Sequence, residues 1–247
     1  MKIHLLGTTG YHPNNRRQTS CVMIPELGIL FDAGTGVFRA RDLIETSSLQ
    51  IFMTHAHADH SIGLTFFLDI LHEKEVDSVE VIGEQVKLDA IREHIFSEHI
   101  FPVMPPFTWK PLTGDSHELP ESGKLTWIQQ EHPGGSLGYR ADFPDRSFAL
   151  LTDTTVDMSD SKLDFVRGVD LLIHECNFPD GFENAAQITG HSCLTQVAEF
   201  SRAAEVGMTV LTHFNALDES ELPVNPESVK EIFDKMILAE DQMVIEL

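Results

Sequence analysis

The chain has 247 residues, of which 42% are hydrophobic, and a formal net charge of −22 at pH 7. This composition predicts a globular protein with a sizeable core and excludes a disordered chain. The acidic balance disfavours a large RNA footprint, because proteins that bind nucleic acids usually present a basic face to the phosphates. No linker-like segment interrupts the sequence, so residues 1–247 are predicted to form a single domain.

The N-terminal apolar run is too brief for a secretory hydrophobic region or a membrane span, so we expect a cytoplasmic protein without membrane attachment. Cys21, Cys176 and Cys193 are widely spaced and contain no CxxC pair. That spacing indicates reduced thiols rather than a disulfide framework, and no chemistry is assigned to them.

In the first half, short apolar runs bounded by glycine and polar residues predict strands at 3–6, 21–24, 28–32, 49–53 and 79–83. Residues 38–45 and 84–96 are predicted to be helical, and another helix is expected to begin at Ser61. The strand at 28–32 ends in Asp32-Ala33-Gly34, where the aspartate either forms a plain Asx-turn or hydrogen-bonds the loop after the next strand.

In the second half, strands are predicted at 125–130, 138–140, 147–152, 171–175 and 209–212, and a helix at 194–204. The strands 138–140 and 147–152 are expected to pair through a turn at Pro144-Asp145. Strands and helices thus alternate through two similar halves. We therefore predict an α/β protein, specifically a four-layer αββα sandwich.

One loop in the first half carries an unusual density of metal-binding side chains: His55, His57, Asp59 and His60 follow the strand at 49–53. Imidazole and carboxylate suit zinc and its neighbours, and the absence of thiolates favours a catalytic over a structural site. His55 and His57 alternate on an extended backbone and point the same way, whereas Asp59 and His60 turn towards a second position. The loop can therefore supply two adjacent metal sites.

This His-x-His-x-Asp-His pattern after a strand resembles the signature of the metallo-β-lactamase superfamily. Further along the chain, His132, Asp153 and His213 match the remaining ligands of that family in order, and each follows a predicted strand. The resemblance implies the metallo-β-lactamase fold. It also implies that one metal ion binds His55, His57 and His132, that the other binds Asp59, His60 and His213, and that Asp153 bridges them.

The resemblance implies a dinuclear metal-dependent hydrolase that uses a metal-bridging hydroxide, with Asp59 as its proton acceptor. Zinc is the expected metal, and the same ligands also accept manganese or iron.

Within the superfamily, the segments Gly138-Tyr139-Arg140, Leu171–Cys176 and Gly190-His191-Ser192 resemble the ribonuclease Z group. In that group the histidine that matches His191 donates a proton to the leaving ribose oxygen, a role suited to imidazole. His174 and Glu175 are expected to lie near His191 and to orient it. The resemblance therefore favours a phosphodiesterase with Asp59 and His191 as its catalytic residues.

The sequence departs from that group between Arg140 and Asp153, where a hairpin replaces the long arm that grips transfer RNA. Together with the acidic charge, this favours a small phosphodiester or a short nucleic acid over transfer RNA as substrate. Arg16, Arg17 and Arg140 are candidate substrate-binding residues, since arginine is well suited to phosphate. A homodimer is one expected state, because relatives in the family are often dimers.

Two other functions remain open at this point. A hydrolase of the same fold could act on another ester class, such as a lactone, a thioester or a sulfate ester. A non-catalytic metal-binding scaffold would also keep the ligands. Metal analysis and a panel of ester substrates separate these alternatives from a phosphodiesterase.

Overall fold

The structure, a computed structural model, describes residues 1–247 and divides into two compact units. The first unit comprises Met1–Thr113 and Glu240–Leu247, and the second comprises Gly114–Ala239. Each unit contains a seven-stranded sheet together with helices. Both units therefore have the α/β character that the sequence predicts, and the single-domain organisation stays a prediction.

The strands, in chain order, are β1 Lys2–Gly7, β2 Cys21–Ile24, β3 Ile29–Phe31, β4 Ser48–Phe52, β5 Ser78–Gly83, β6 Phe107–Pro111, β7 His117–Leu119, β8 Gly123–Gln130, β9 Ser136–Asp142, β10 Ser147–Leu151, β11 Leu171–Glu175, β12 Met208–Thr212, β13 Met236–Leu238 and β14 Met243–Glu246. The α-helices are α1 Ala58–Ser61, α2 Phe67–Ile70, α3 Gln85–Ala90, α4 Asp160–Val166, α5 Glu183–Thr189 and α6 Leu194–Ala203. Short 3₁₀ helices span Pro25–Leu27, Thr35–Leu43, Ile62–Phe66 and Pro226–Val229, and a π-helical turn spans Ile91–Ile95.

In the first unit the sheet has the order β14-β1-β2-β3-β4-β5-β6. Strands β3 to β6 run parallel, and β3 is buried along its whole length, as expected for a parallel strand covered on both faces. The β3–β4 register pairs Phe31 with Phe52, so the carboxyl ends of the two strands lie side by side. Asp32 is thereby placed next to the histidine-rich loop.

In the second unit the sheet has the order β13-β12-β11-β10-β9-β8-β7. Strands β10 to β13 run parallel, and the pairs β7–β8, β8–β9 and β9–β10 are antiparallel. The register pairs Leu151 with His174 and Glu175 with Thr212. The carboxyl ends of β10, β11 and β12 therefore share one edge of this sheet.

Most of the predicted elements are present. The strand pair β1–β2 and the hairpin β9–β10 are confirmed, and the helix predicted at 194–204 is α6. The helix predicted at 38–45 is instead a 3₁₀ helix that begins at Thr35. The strands β6, β7, β13 and β14 and the helices α4 and α5 were not predicted. These elements are short, and a strand of three to five residues leaves little periodicity to read.

All three cysteines are free and buried, as the sequence indicates. No helix in the protein is both long enough and apolar enough to cross a membrane.

Candidate metal centre and active site

The first unit brings four of the predicted ligands together on the loop that follows β4 and on helix α1, which comes directly after it. The rings of His55 and His57 lie 4.4 Å apart, and the ring of His60 lies 4.3 Å from that of His55. Asp59 Oδ2 is 3.4 Å from His60 Nε2. Both the pair His55 and His57 and the pair Asp59 and His60 present ligand atoms within 4.8 Å of each other, close enough to share an ion.

Asp32 supports this loop from the neighbouring strand. Its Oδ2 is 2.7 Å from His60 Nδ1, and its Oδ1 accepts a hydrogen bond from the Thr54 backbone N–H at 2.8 Å. The Thr54 hydroxyl also bonds this carboxylate and lies 3.0 Å from His55 Nδ1. Asp32 is therefore a brace for the loop. With Nδ1 held by carboxylate, His60 keeps Nε2 for a metal ion, as is usual for metal-binding histidines.

Asp59 has a second contact that sequence reasoning missed. The backbone N–H of Tyr11, in the loop between β1 and β2, donates a hydrogen bond of 2.7 Å to Asp59 Oδ2. No sequence signal could have revealed this contact, because any residue other than proline supplies the same donor.

The second unit brings together the three ligands predicted for it. Asp153 lies between the two histidines: its Oδ1 is 3.4 Å from His132 Nε2, and its Oδ2 is 3.1 Å from His213 Nε2. His132 Nδ1 is 3.0 Å from the Gly190 carbonyl oxygen, which holds the ring with Nε2 towards Asp153. His132 therefore keeps Nε2 as the atom that could bind a metal ion, as metal-binding histidines do when a carbonyl oxygen holds the other ring nitrogen.

Several of these side chains start from strained backbone. Asp32, Asp153 and His213 have φ values of 59°, 51° and 55°, in the left-handed region that non-glycine residues rarely adopt. Asp and His tolerate this region better than most residues, and such strain concentrates at functional sites. At each of these three residues, the left-handed conformation turns the chain sharply just after a strand.

His191 lies beside this cluster and is held by Glu175. Its Nδ1 is 2.8 Å from Glu175 Oε1, and its ring lies 5.2 Å from that of His132 and 5.5 Å from that of His213. Glu175 is fully buried and also accepts backbone N–H groups from Thr154 and Ser192. The carboxylate is therefore rigidly placed, and it fixes the orientation of the imidazole.

His174 does not share this role, contrary to expectation. Neighbouring residues of a strand point to opposite faces, and His174 packs against Phe200 with its Nδ1 bonded to the Glu175 carbonyl oxygen. Burial lowers the pKa of His174, which favours the neutral form of its imidazole. Glu175 alone of the two orients His191.

The three arginines predicted to bind substrate all form ion pairs with carboxylates of the protein itself. Arg16 and Arg17 each pair with Glu240 at 3.1 Å, and the side chain of Arg17 is fully buried. Arg140 forms a two-pronged pair with Asp142 and donates to the Phe165 carbonyl oxygen. Burial corrects the prediction for Arg17, whose side chain is inaccessible to a phosphate. The substrate contacts of Arg16 and Arg140 stay predictions.

The cysteines are unsuited to nucleophilic chemistry. Burial raises the pKa of Cys21 and Cys176 well above that of a free thiol, and it raises the pKa of Cys193 to about 11. A nucleophilic cysteine needs a lowered pKa to be a thiolate at neutral pH. These thiols therefore belong to the core.

Comparisons with known proteins agree with this chemistry. The family described as "Beta-lactamase superfamily domain" matches residues 28–214. Ribonuclease Z of Archaeoglobus fulgidus is 26% identical, over 100% of this chain and 97% of that protein. Ribonuclease Z of Nitrosopumilus maritimus is 25% identical, over 100% of both chains. The latter alignment runs over 304 positions, so the relative contains segments that this shorter chain lacks.

Solved structures confirm the predicted fold class. The metallo-β-lactamase fold protein YhfI from Bacillus subtilis matches with a TM-score of 0.79 and 18% identity, over 99% of both chains. The short form of human tRNase Z matches with a TM-score of 0.76 and 24% identity, over 100% of this chain and 99% of that one. Each unit of the chain carries the imidazole and carboxylate ligands that divalent metal ions require. The chain belongs to the beta-lactamase superfamily and is a metal-dependent hydrolase.

Proposed function

We propose that this protein is a dinuclear metal-dependent phosphodiesterase of ribonuclease Z type, in which both units contribute to one catalytic domain. The observation that carries the proposal is the Glu175–His191 pair, held beside two candidate metal ligands of the second unit. General-acid catalysis matters least for leaving groups that depart readily, such as the thiolate of a thioester. It matters most for an alkoxide, such as the ribose oxygen of a phosphodiester.

The proposed metal ligands follow from the donors in each unit. His55, His57 and His132 would hold one ion and Asp59, His60 and His213 the other, with Asp153 shared between them. The fixed Nδ1 contacts of His60 and His132 support this assignment, because they leave Nε2 as the ligand atom. Zinc fits this set of nitrogen and oxygen donors. When bound, the ions would activate water and stabilise negative charge on the phosphoryl group.

The chain's own residues would move the protons. Asp59 Oδ2, which is held by the Tyr11 N–H, would accept a proton from the attacking water. The Nδ1 nitrogen of His191 is occupied by Glu175, so Nε2 would donate a proton to the leaving oxygen. The buried carboxylate holds the imidazole in the orientation that this step requires.

A small phosphodiester or a short nucleic acid fits this chain better than transfer RNA does. Only residues 143–146 connect β9 to β10, so no protruding arm is present at that position. The net charge of −22 opposes a long polyanion. The relatives named ribonuclease Z support a phosphodiester linkage rather than another ester class.

The first experiment is a substrate panel on the zinc-loaded protein: bis-p-nitrophenyl phosphate, a lactone, a sulfate ester, a dinucleotide, a cyclic nucleotide and a precursor transfer RNA. We expect hydrolysis of the phosphodiesters, with faster turnover of the small ones than of the transfer RNA. Turnover of the lactone or the sulfate ester alone would replace the proposed reaction with another ester hydrolysis. Metal binding without any turnover would indicate a scaffold.

The role of His191 is tested by the leaving group. His191→Ala should slow dinucleotide cleavage by about a hundredfold or more, because general acid catalysis is worth that much when the leaving group is an alkoxide. The same variant should slow bis-p-nitrophenyl phosphate far less, since nitrophenolate leaves without protonation. Metal content should not change. His99→Ala, which alters an exposed histidine outside the cluster, is the matched control. An equal loss on both substrates would contradict the general-acid role.

A further inference from the structure

The loop between β1 and β2 contains a strained turn centred on Tyr11. The backbone N–H of His12 donates to the Gly10 carbonyl oxygen at 2.8 Å, and Tyr11 has a φ of 62°. A hydrogen bond across three residues with a positive central φ describes a classic γ-turn, which is rare and strained. A bulky aromatic residue is an unusual choice for it, because glycine or asparagine adopts positive φ at lower cost.

The rest of the loop holds this turn in place. The Asn14 side chain accepts the backbone N–H groups of Arg16 and Arg17, and the N–H groups of Thr8 and Thr9 both donate to the Gln18 carbonyl oxygen. The buried Arg17 pairs with Glu240. The turn is thus determined by its surroundings, as strain at functional sites requires.

The Tyr11 backbone and the Tyr11 side chain serve different purposes. The backbone N–H holds Asp59, and any non-proline residue would do the same. The ring is 82% exposed, so it contributes little to the core of the first unit. The ring of His12, also exposed, lies 5.3 Å away at 57°, and its Nδ1 is fixed by the Pro13 carbonyl oxygen. Two neighbouring aromatic rings are therefore exposed to solvent, and one of them belongs to the residue whose backbone N–H binds a candidate catalytic carboxylate.

We propose that Tyr11 determines substrate specificity by stacking on a nucleobase of the phosphodiester, with His12 beside it. This inference rests on the proposed phosphodiesterase function and names its substrate class: a phosphodiester that carries a nucleoside. Stacking on an aromatic side chain accepts any base, since each base has a π-face. It also suits this acidic protein, because the attraction to an uncharged base needs no basic surface.

The test compares two substrates that share a leaving group, thymidine 5′-p-nitrophenyl phosphate and methyl p-nitrophenyl phosphate, on the zinc-loaded protein. The quantity measured is the ratio of kcat/KM for the thymidine ester to that for the methyl ester. Tyr11→Asn removes the ring, keeps the N–H to Asp59 and tolerates positive φ. It should lower the ratio about tenfold, within the range of one base–aromatic stack, and mainly through KM. Tyr11→Phe keeps the ring and should keep the ratio.

Phe38→Ala removes another half-exposed aromatic ring of the same unit, outside the loop, and should leave both kcat/KM values unchanged. Metal content, measured for every variant, shows whether Asp59 remains in place. A ratio that is the same in Tyr11→Asn and the wild type would overturn the stacking role, as would a ratio lost equally in Tyr11→Phe. A wild-type protein inactive on both esters would instead refute the proposed phosphodiesterase, so the two failures are distinguishable.

Discussion

The two units assemble their candidate ligands in different ways. The first unit takes His55, His57, Asp59 and His60 from one contiguous segment, so local backbone geometry suffices to bring them together. The second unit takes His132, Asp153 and His213 from three loops, and the strand register brings these together. A contiguous motif therefore tolerates distant changes in the fold, whereas a dispersed motif depends on every strand that positions one of its residues.

Among the dispersed ligands, substitution of Asp153 should have the largest effect, because this carboxylate contacts both histidines of the second unit. Asp153→Asn should lower kcat/KM for bis-p-nitrophenyl phosphate by at least about a thousandfold. In the proposed dinuclear centre a neutral amide would not offset the charge of the bound cations, whose contribution to catalysis is several kcal/mol. Metal content per chain should fall as well. Asp145→Asn alters an exposed carboxylate in the β9–β10 turn and is the matched control. Full metal content together with full activity would show that Asp153 is not a shared ligand.

A second, smaller effect distinguishes the roles of Asp32 and Glu175, the two buried carboxylates that each hold a histidine ring. Asp32→Asn should weaken metal binding by about 10–100-fold, because Asp32 orients the proposed ligand His60. Glu175→Gln should retain the metal and slow dinucleotide cleavage, because Glu175 orients His191 instead. Competition with a chelator measures the first effect, steady-state kinetics the second, and Asp42→Asn, an exposed carboxylate, is the control. Metal loss in Glu175→Gln, with metal retained and cleavage slowed in Asp32→Asn, would contradict the roles assigned to these two carboxylates.

The smallest expected effect concerns stability against pH. Burial lowers the pKa of His174 below 6.5 in the folded state, so below about pH 6.5 the unfolded chain binds a proton that the folded protein does not. Stability should therefore fall as the pH drops from 7.5 to 5.5, by at most about 1.4 kcal/mol per pH unit for this one proton.

The measurement is urea unfolding of the wild type and of His174→Gln, which removes the titrating imidazole and keeps a polar side chain. The difference between the two proteins cancels the pH dependence of metal binding. His4, a partly exposed histidine of the first unit, has its pKa lowered mainly by burial, and Glu26 opposes that shift. His4→Gln should therefore change the pH dependence less. An identical pH profile for the wild type and His174→Gln would mean that His174 titrates normally.

The sequence was sufficient for the parts that rest on local pattern. The histidine-rich loop is contiguous, and β4, β11 and α6 carry apolar runs that define their position. The sequence was insufficient where contacts between residues distant in the chain determine the position of a side chain. Alternation along β11 places Glu175 and His174 on opposite faces of the sheet. Only the tertiary structure shows that the face with Glu175 is the one that meets His191. From the sequence, Arg17 is expected at the surface. In the structure it is buried and pairs with Glu240, a residue that is distant in the sequence.

The return of residues 240–247 to the first unit has a consequence for synthesis. Strand β14 pairs with β1, Glu240 pairs with Arg16 and Arg17, and Asp241 accepts hydrogen bonds from Thr8 and from the Gln18 N–H. These partners leave the ribosome after every residue of the second unit, which is contiguous in the chain. A nascent chain can therefore complete its second sheet while its first remains open at the β1 edge. The Tyr11 loop acquires its carboxylate anchors last, so in an unfinished polypeptide the loop that donates a hydrogen bond to Asp59 is not yet anchored.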